Sequence, residues 1–166
     1  MTVLLYPEGQ EAENGLQEAL GPKLSNGITG PEWSDETGRI GSISDSARVD
    51  IYLPKKCNGQ MIVVCPGGGY RYVSALKEGL HVADWMNARG IAVAVVKHRM
   101  PEGHWEIPVI DVQNAFRYCR AHAAEWGISQ IGVMGFSAGG HLAASASTLY
   151  VDEITRPDFS VLIYPV

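Results

Sequence analysis

The sequence predicts an α/β fold: a mostly parallel sheet with helices on both faces. Two observations predict it. Short runs rich in Val and Ile recur as QMIVVCP (60–66), IAVAVVKH (91–98), IGVMGF (131–136) and FSVLIYPV (159–166). Continuous apolar runs of this length are the mark of strands covered on both faces. Between them lie segments of helical periodicity that stop at glycine. Strands alternating with amphipathic helices imply parallel pairing through right-handed crossovers.

The elements follow in order. Residues 1–48 form a loop-rich opening segment, with Gly, Pro, Asn, Ser and acids dominating 7–48 and a short hairpin expected around GRIGSIS (38–44). ARVDIYLP (47–54) alternates and stops at proline, which predicts a half-buried strand. QMIVVCP is the first buried strand. SALKEGLHVADWMNARG (74–90) places Leu76, Leu80, Ala83 and Trp85 near helical spacing and ends at Gly90. IAVAVVKH is the second buried strand. VIDVQNAFRYCRAHAAEWG (109–127) puts Val112, Ala115, Phe116 and Cys119 on one helical face and stops at Gly127. IGVMGF is the third buried strand, 138–149 the next helix, and FSVLIYPV the fourth buried strand. No internal repeat or linker divides the chain, so residues 1–166 read as a single domain.

Composition narrows the function classes. A chain of 166 residues with 46% hydrophobic and 19% charged residues is an ordinary globular domain. Its net charge of −5 and the absence of any Lys/Arg-rich run argue against a nucleic-acid partner. No run approaches the ~18 apolar residues of a membrane helix, and MTVLLYPEGQ is not a signal peptide. The expected location is cytoplasmic by default, with no membrane partner. Three cysteines without CxxC spacing indicate neither a disulfide framework nor a zinc site, so no metal is expected.

Two glycine motifs carry the chemistry. In VMGFSAGGHLAAS (133–145), Ser137 stands between Gly135 and Gly139, after a strand and before a helix. That context fits the G-x-S-x-G turn that lifts a nucleophilic hydroxyl clear of a sheet, at the positive end of a helix. Bulky side chains at the two glycines would clash where strand and helix cross. The alternative is a small, flexible strand-to-helix loop. In VVCPGGGYRYVS (63–74), three glycines directly after a buried strand free backbone N–H groups to face a cleft. Such donors stabilise the oxyanion of a tetrahedral intermediate. A glycine triplet can equally cradle a phosphate or simply turn, although neither the P-loop nor the dinucleotide spacing is present.

With both motifs in one chain, the sequence resembles the α/β-hydrolase superfamily, in the branch whose oxyanion loop reads H-G-G-G. CPGGGYRYVSALKEG, KHRMPEGH, PVIDVQNAFRYCR and GFSAGGHLAAS resemble the acetyl-xylan-esterase-like enzymes, and the opening LLYPEG is similar to their N-terminal segment. The resemblance implies that Ser137 accepts the acyl group and that the N–H groups of Gly68, Gly69 and Ala138 form the oxyanion hole. Pro66 stands where that branch usually has histidine. Tyr70 would line the acyl or sugar pocket, or simply pack.

The resemblance also implies an acid and then a histidine following the serine. Only His141 follows it, one turn down the same helix, where a packing or hydrogen-bonding role is expected. His98 and His104 fall in the loop after a strand and are candidates for substrate contact. His81 and His122 are expected to be structural, and Asp111 to cap a helix or pair with Arg99.

The function expected is a serine carboxylic-ester hydrolase that removes short acyl groups from sugars or xylan, without a cofactor. A serine peptidase of the same fold, or a non-catalytic remnant or binding module, are the alternatives. The catalytic acid and base are expected beyond residue 166, and the strand SVLIY is expected to leave a sheet edge open to self-association.

Overall fold

The computed structural model describes residues 1–6 and 24–166. The loop-rich reading of residues 7–23, and the Pro7–Gly9 part of the LLYPEG likeness, lie outside the described residues.

A six-stranded sheet forms the centre, in the order β1 (Thr2–Leu4), β4 (Arg48–Tyr52), β7 (Ala92–Lys97), β5 (Gln60–Cys65), β8 (Gln130–Phe136), β9 (Ser160–Ile163). The β5–β7, β5–β8 and β8–β9 pairs are parallel, and β1–β4 and β4–β7 are antiparallel. A second, three-stranded antiparallel sheet joins β2 (Trp33–Ser34), β3 (Arg39–Gly41) and β6 (Tyr72–Ser74). The β2–β3 hairpin lies just ahead of the GRIGSIS stretch in which it was expected, and it runs into it.

Helices cover both faces of the large sheet. On β5, alternate residues point to opposite sides, as the pleat requires. Met61, Val63 and Cys65 pack in one core with Val112 and Phe116 of α2 (Glu106–His122) and Leu142 and Ala143 of α3 (Ala138–Thr148). Ile62 and Val64 pack in the other with Ala83 and Met86 of α1 (His81–Asn87). Each strand at the sheet's centre therefore needs apolar residues at every position, which is why its sequence reads as an unbroken apolar run.

Four details differ from the sequence expectation. The strand ARVDIYLP is interior rather than half-buried: β1 pairs along its outer edge, and Val49, Asp50 and Ile51 are all buried. Its one buried charge, Asp50, is satisfied by Lys97 Nζ at 2.5 Å and Thr2 Oγ1 at 2.6 Å. The segment after β6 opens with a π-helical turn, Leu76–Leu80, in which the Leu80 amide reaches the Ala75 carbonyl at 2.9 Å. Trp85 faces solvent, with the Arg89 guanidinium carbon 3.6 Å from its ring centroid. The buried face of that segment is Gly79, Ala83 and Met86 instead. Finally, β9 alternates between exposed and half-buried residues. Only β8 pairs with it among the described residues, so its apolar run does not have the two-sided cover of β5.

Candidate active site

The C-terminal ends of β5 and β8 bring the two glycine motifs together. Ser137 follows β8 at φ 54°, ψ −121°, a region that a residue with a Cβ rarely adopts. Such a conformation costs on the order of 1–3 kcal/mol and persists only where its surroundings over-determine it. Here they do. The Ser137 amide donates to the Ile163 carbonyl at 3.0 Å, and the Ser137 carbonyl accepts from the His141 amide at 3.0 Å. A Cβ on Gly135 would lie 1.9 Å from the Gly139 carbonyl oxygen, and one on Gly139 would lie 2.0 Å from that of Cys65. These are backbone atoms that cannot move aside. The two glycines are what lets α3 start immediately over β5 and β8, with its positive end at the serine.

The loop Pro66–Arg71 passes beside this turn. A Cβ built on Gly67 would sit 3.2 Å from Ser137 Cβ. The Gly67 amide donates to Glu78 Oε2 at 2.6 Å, while the Gly68 carbonyl accepts from Arg71 and Tyr72 at 3.0 and 3.3 Å. Gly68 has φ 148°, and a Cβ there would meet the Tyr72 carbonyl oxygen at 1.9 Å. The amides of Gly68 and Gly69 donate to no partner among the described residues. The Ala138 amide, in the first turn of α3, is one of the donors that a helix cannot satisfy internally.

Tyr70 follows at φ 58° and lines a cleft of about 620 Å³. Its hydroxyl lies 2.8 Å from His141 Nδ1, and its ring stands edge-on to both His141 and His98. Burial, with a smaller contribution from Cys65, raises the Tyr70 phenol well above the usual tyrosine range. Beyond the Tyr70–His141 pair, Trp105, Pro108 and Leu149 line the cleft. Tyr70 thus lines a pocket and packs as well.

The histidines take distinct places. His98 is 2% exposed, so the expectation of substrate contact does not hold there. It sits behind the glycine loop, where its Nδ1 is 3.0 Å from the Arg99 carbonyl and the ring also hydrogen-bonds to the Pro66 backbone. Burial pushes its pKa down, outweighing those carbonyls and Asp111. His104 is exposed and 3.4 Å from Glu106 Oε1; its neighbours Gly103 and Trp105 line the cleft, and His104 itself does not. His141 is turned to Tyr70. His122 donates from Nδ1 to the Tyr118 carbonyl and stacks on Trp126, and His81 is exposed at the start of α1. Among the described residues, none of the five histidines hydrogen-bonds to Ser137 Oγ.

Asp111 does pair with Arg99, and the cap role falls away, since α2 begins earlier, at Glu106. Burial raises the Cys65 and Cys119 thiols to about 12, which makes them inert. Among the described residues, no group of three or more His, Cys, Asp or Glu is placed to hold a metal, and no helix is long and apolar enough to cross a membrane. Glu78 is the residue that reading the sequence missed. Its only signal was an acid inside ALKEG, which spacing placed on an ordinary helix face.

A serine at a strained strand-to-helix turn, facing a glycine loop on a mostly parallel sheet, defines an α/β-hydrolase. Solved structures agree. The chain is similar to an acetyl ester-xyloside bifunctional hydrolase from Caldicellulosiruptor lactoaceticus (TM-score 0.65, 28% identity, 100% of this chain and 57% of that one). It is also similar to a thermophilic esterase from Thermogutta terrifontis, solved with propionate bound (TM-score 0.60, 27% identity, 73% of this chain and 50% of that one). Residues 49–158 match the BD-FAE family, and the chain belongs to it. Among curated proteins, it is 45% identical over 129 residues to an acetylxylan esterase of Xylanibacter ruminicola, covering 75% of this chain and 27% of that protein. The chain spans about half the length of these solved relatives and about a quarter of that esterase.

Proposed function

We propose that this chain carries the nucleophile and the oxyanion hole of a serine carboxylic-ester hydrolase that removes short acyl groups, acetyl foremost, from sugars or xylan. One observation carries the reading: the Gly68 and Gly69 amides, unpartnered among the described residues, lie on the loop that passes against the strained Ser137 turn. In this reading Ser137 Oγ attacks the ester carbonyl. The amides of Gly68, Gly69 and Ala138 hold the negative oxygen that forms, and collapse of the intermediate breaks the bond to the sugar oxygen, which leaves as a hydroxyl with the proton that Ser137 gave up. Water then releases the acid. The names of the relatives, an acetylxylan esterase and an acetyl ester-xyloside hydrolase, support the acetylated-sugar substrate.

The test is acetylation of Ser137 by p-nitrophenyl acetate, read by mass spectrometry of the peptide that holds it. The reading expects one acetyl group there and none in Ser137→Ala. Acetylation at random lysines alone would refute it.

A second reading, a non-catalytic binding module, is favoured by the lack of any histidine at Ser137 Oγ. It expects acetylated xylo-oligosaccharides to bind in the cleft beside Tyr70 without acyl transfer. The same experiment separates the two.

A further inference from the structure

We infer that Glu78 is the positioning residue of the oxyanion loop. The inference rests on the hydrolase reading of Ser137 and adds a role for a carboxylate which that reading does not use. Glu78 Oε2 accepts the Gly67 amide at 2.6 Å, and Glu78 Oε1 accepts the Tyr164 hydroxyl at 2.9 Å. Tyr164 follows Ile163, whose carbonyl accepts the Ser137 amide at 3.0 Å. Gly67 in turn lies against Ser137 Cβ. The contacts close a ring: serine turn, end of β9, Glu78, glycine loop, and back to the serine turn.

The geometry gives Glu78 two effects on the loop. A carboxylate on an amide makes a short, charge-assisted hydrogen bond, roughly twice as strong as a neutral one. It turns the Gly67 N–H towards the π-helical turn, and the next two amides of the loop are the ones left without a partner among the described residues. It also fixes how far the loop stands from Ser137, because the same carboxylate is tied through Tyr164 to the strand that binds the Ser137 amide. The carrier is rigid. Gly79, directly after Glu78, packs so closely on the sheet that a Cβ there would be 2.9 Å from Val95 Cγ1. π-Helical turns recur at functional sites, and here the turn aims one carboxylate at the loop.

The experiment uses the full chain, ¹⁵N-labelled, as wild type, Glu78→Ala, Glu78→Gln and Tyr164→Phe. In the wild type, the Gly67 amide proton should resonate far downfield and exchange slowly. Glu78→Ala should move it upfield, speed its exchange and shift the Gly68 and Gly69 resonances. Glu78→Gln keeps an acceptor and should restore most of the pattern. The rate of Ser137 acetylation at saturating p-nitrophenyl acetate should fall about 10²-fold in Glu78→Ala, as displacement of oxyanion donors by about 1 Å implies, with the half-saturating concentration within about threefold. Tyr164→Phe should lower that rate less. Unchanged Gly67–Gly69 resonances in Glu78→Ala overturn the inference. So does a rate that falls only in step with the folded fraction seen by circular dichroism. Should Glu78→Ala not fold, Tyr164→Phe supplies the comparison, and unchanged Gly67–Gly69 resonances in that variant overturn the inference. If the wild type takes up no acetyl group, the hydrolase reading fails, and the glycine resonances alone decide what Glu78 positions.

Discussion

Arg99 and Asp111 form a fully buried ion pair, with Nη2 to Oδ1 at 2.7 Å and side chains 1% and 0% exposed. The Arg99 amide adds a bond to Oδ2 at 2.8 Å, and Tyr6 Oη sits between the two charges, donating to Asp111 and accepting from Arg99. Arg99 Nη1 reaches the Leu24 carbonyl at 2.7 Å. The pair therefore ties α2 to the loop after β7 and to both described ends of the opening segment. Removing one partner leaves the other charge buried and alone, which costs about 3–5 kcal/mol. Asp111→Ala should lower the stability to urea by that amount. The double variant Arg99→Met with Asp111→Leu should recover part of the loss; equal destabilisation of the single and double variants would contradict this account.

His98 makes stability fall at mildly acid pH. Its native pKa lies below the ordinary 6.5, chiefly through burial, so the unfolded chain takes up this proton first as pH falls. The contribution is intact above about pH 6.5 and is lost as pH drops from there towards the native pKa. Replacing His98 by Phe should flatten that part of the stability profile, measured by thermal melts across pH 5–7.

Gly139→Ala tests the close crossing at the serine turn. The new methyl would lie 2.0 Å from the Cys65 carbonyl oxygen and 2.6 Å from that of Pro66. The expected loss is about 3 kcal/mol, the upper part of the range for overpacking. Gly103→Ala, at φ 88° with open space around it, should cost only about 1 kcal/mol.

Turnover of p-nitrophenyl acetate by this chain should be barely above background, because no histidine meets Ser137 Oγ. The remaining site still allows a weak rate, since enzymes stripped of their triad keep about 10³–10⁴-fold over water. His141→Ala should change it little, as its Nδ1 is engaged by Tyr70. Robust turnover abolished by His141→Ala would make that histidine the base.

The sequence by itself determined the α/β class, the central strands and the two glycine motifs. Each rests on a local rule: apolar runs such as QMIVVCP need cover on both faces, and Gly135 answers to a clash with the Gly139 carbonyl in the same turn. Tertiary structure decided what depends on neighbours distant in the chain. Only the packing of the glycine loop over His98 shows that this histidine is buried, and only the uncovered side of β9 separates its apolar run from that of β5. Trp85 faces solvent because only the packing of α1 on the sheet fixes which side of the helix, that of Gly79, Ala83 and Met86, is buried. Glu78 was invisible for the same reason. An acid on a surface helix and the acceptor of the Gly67 amide are the same letters, and the fold alone brings that carboxylate to the loop.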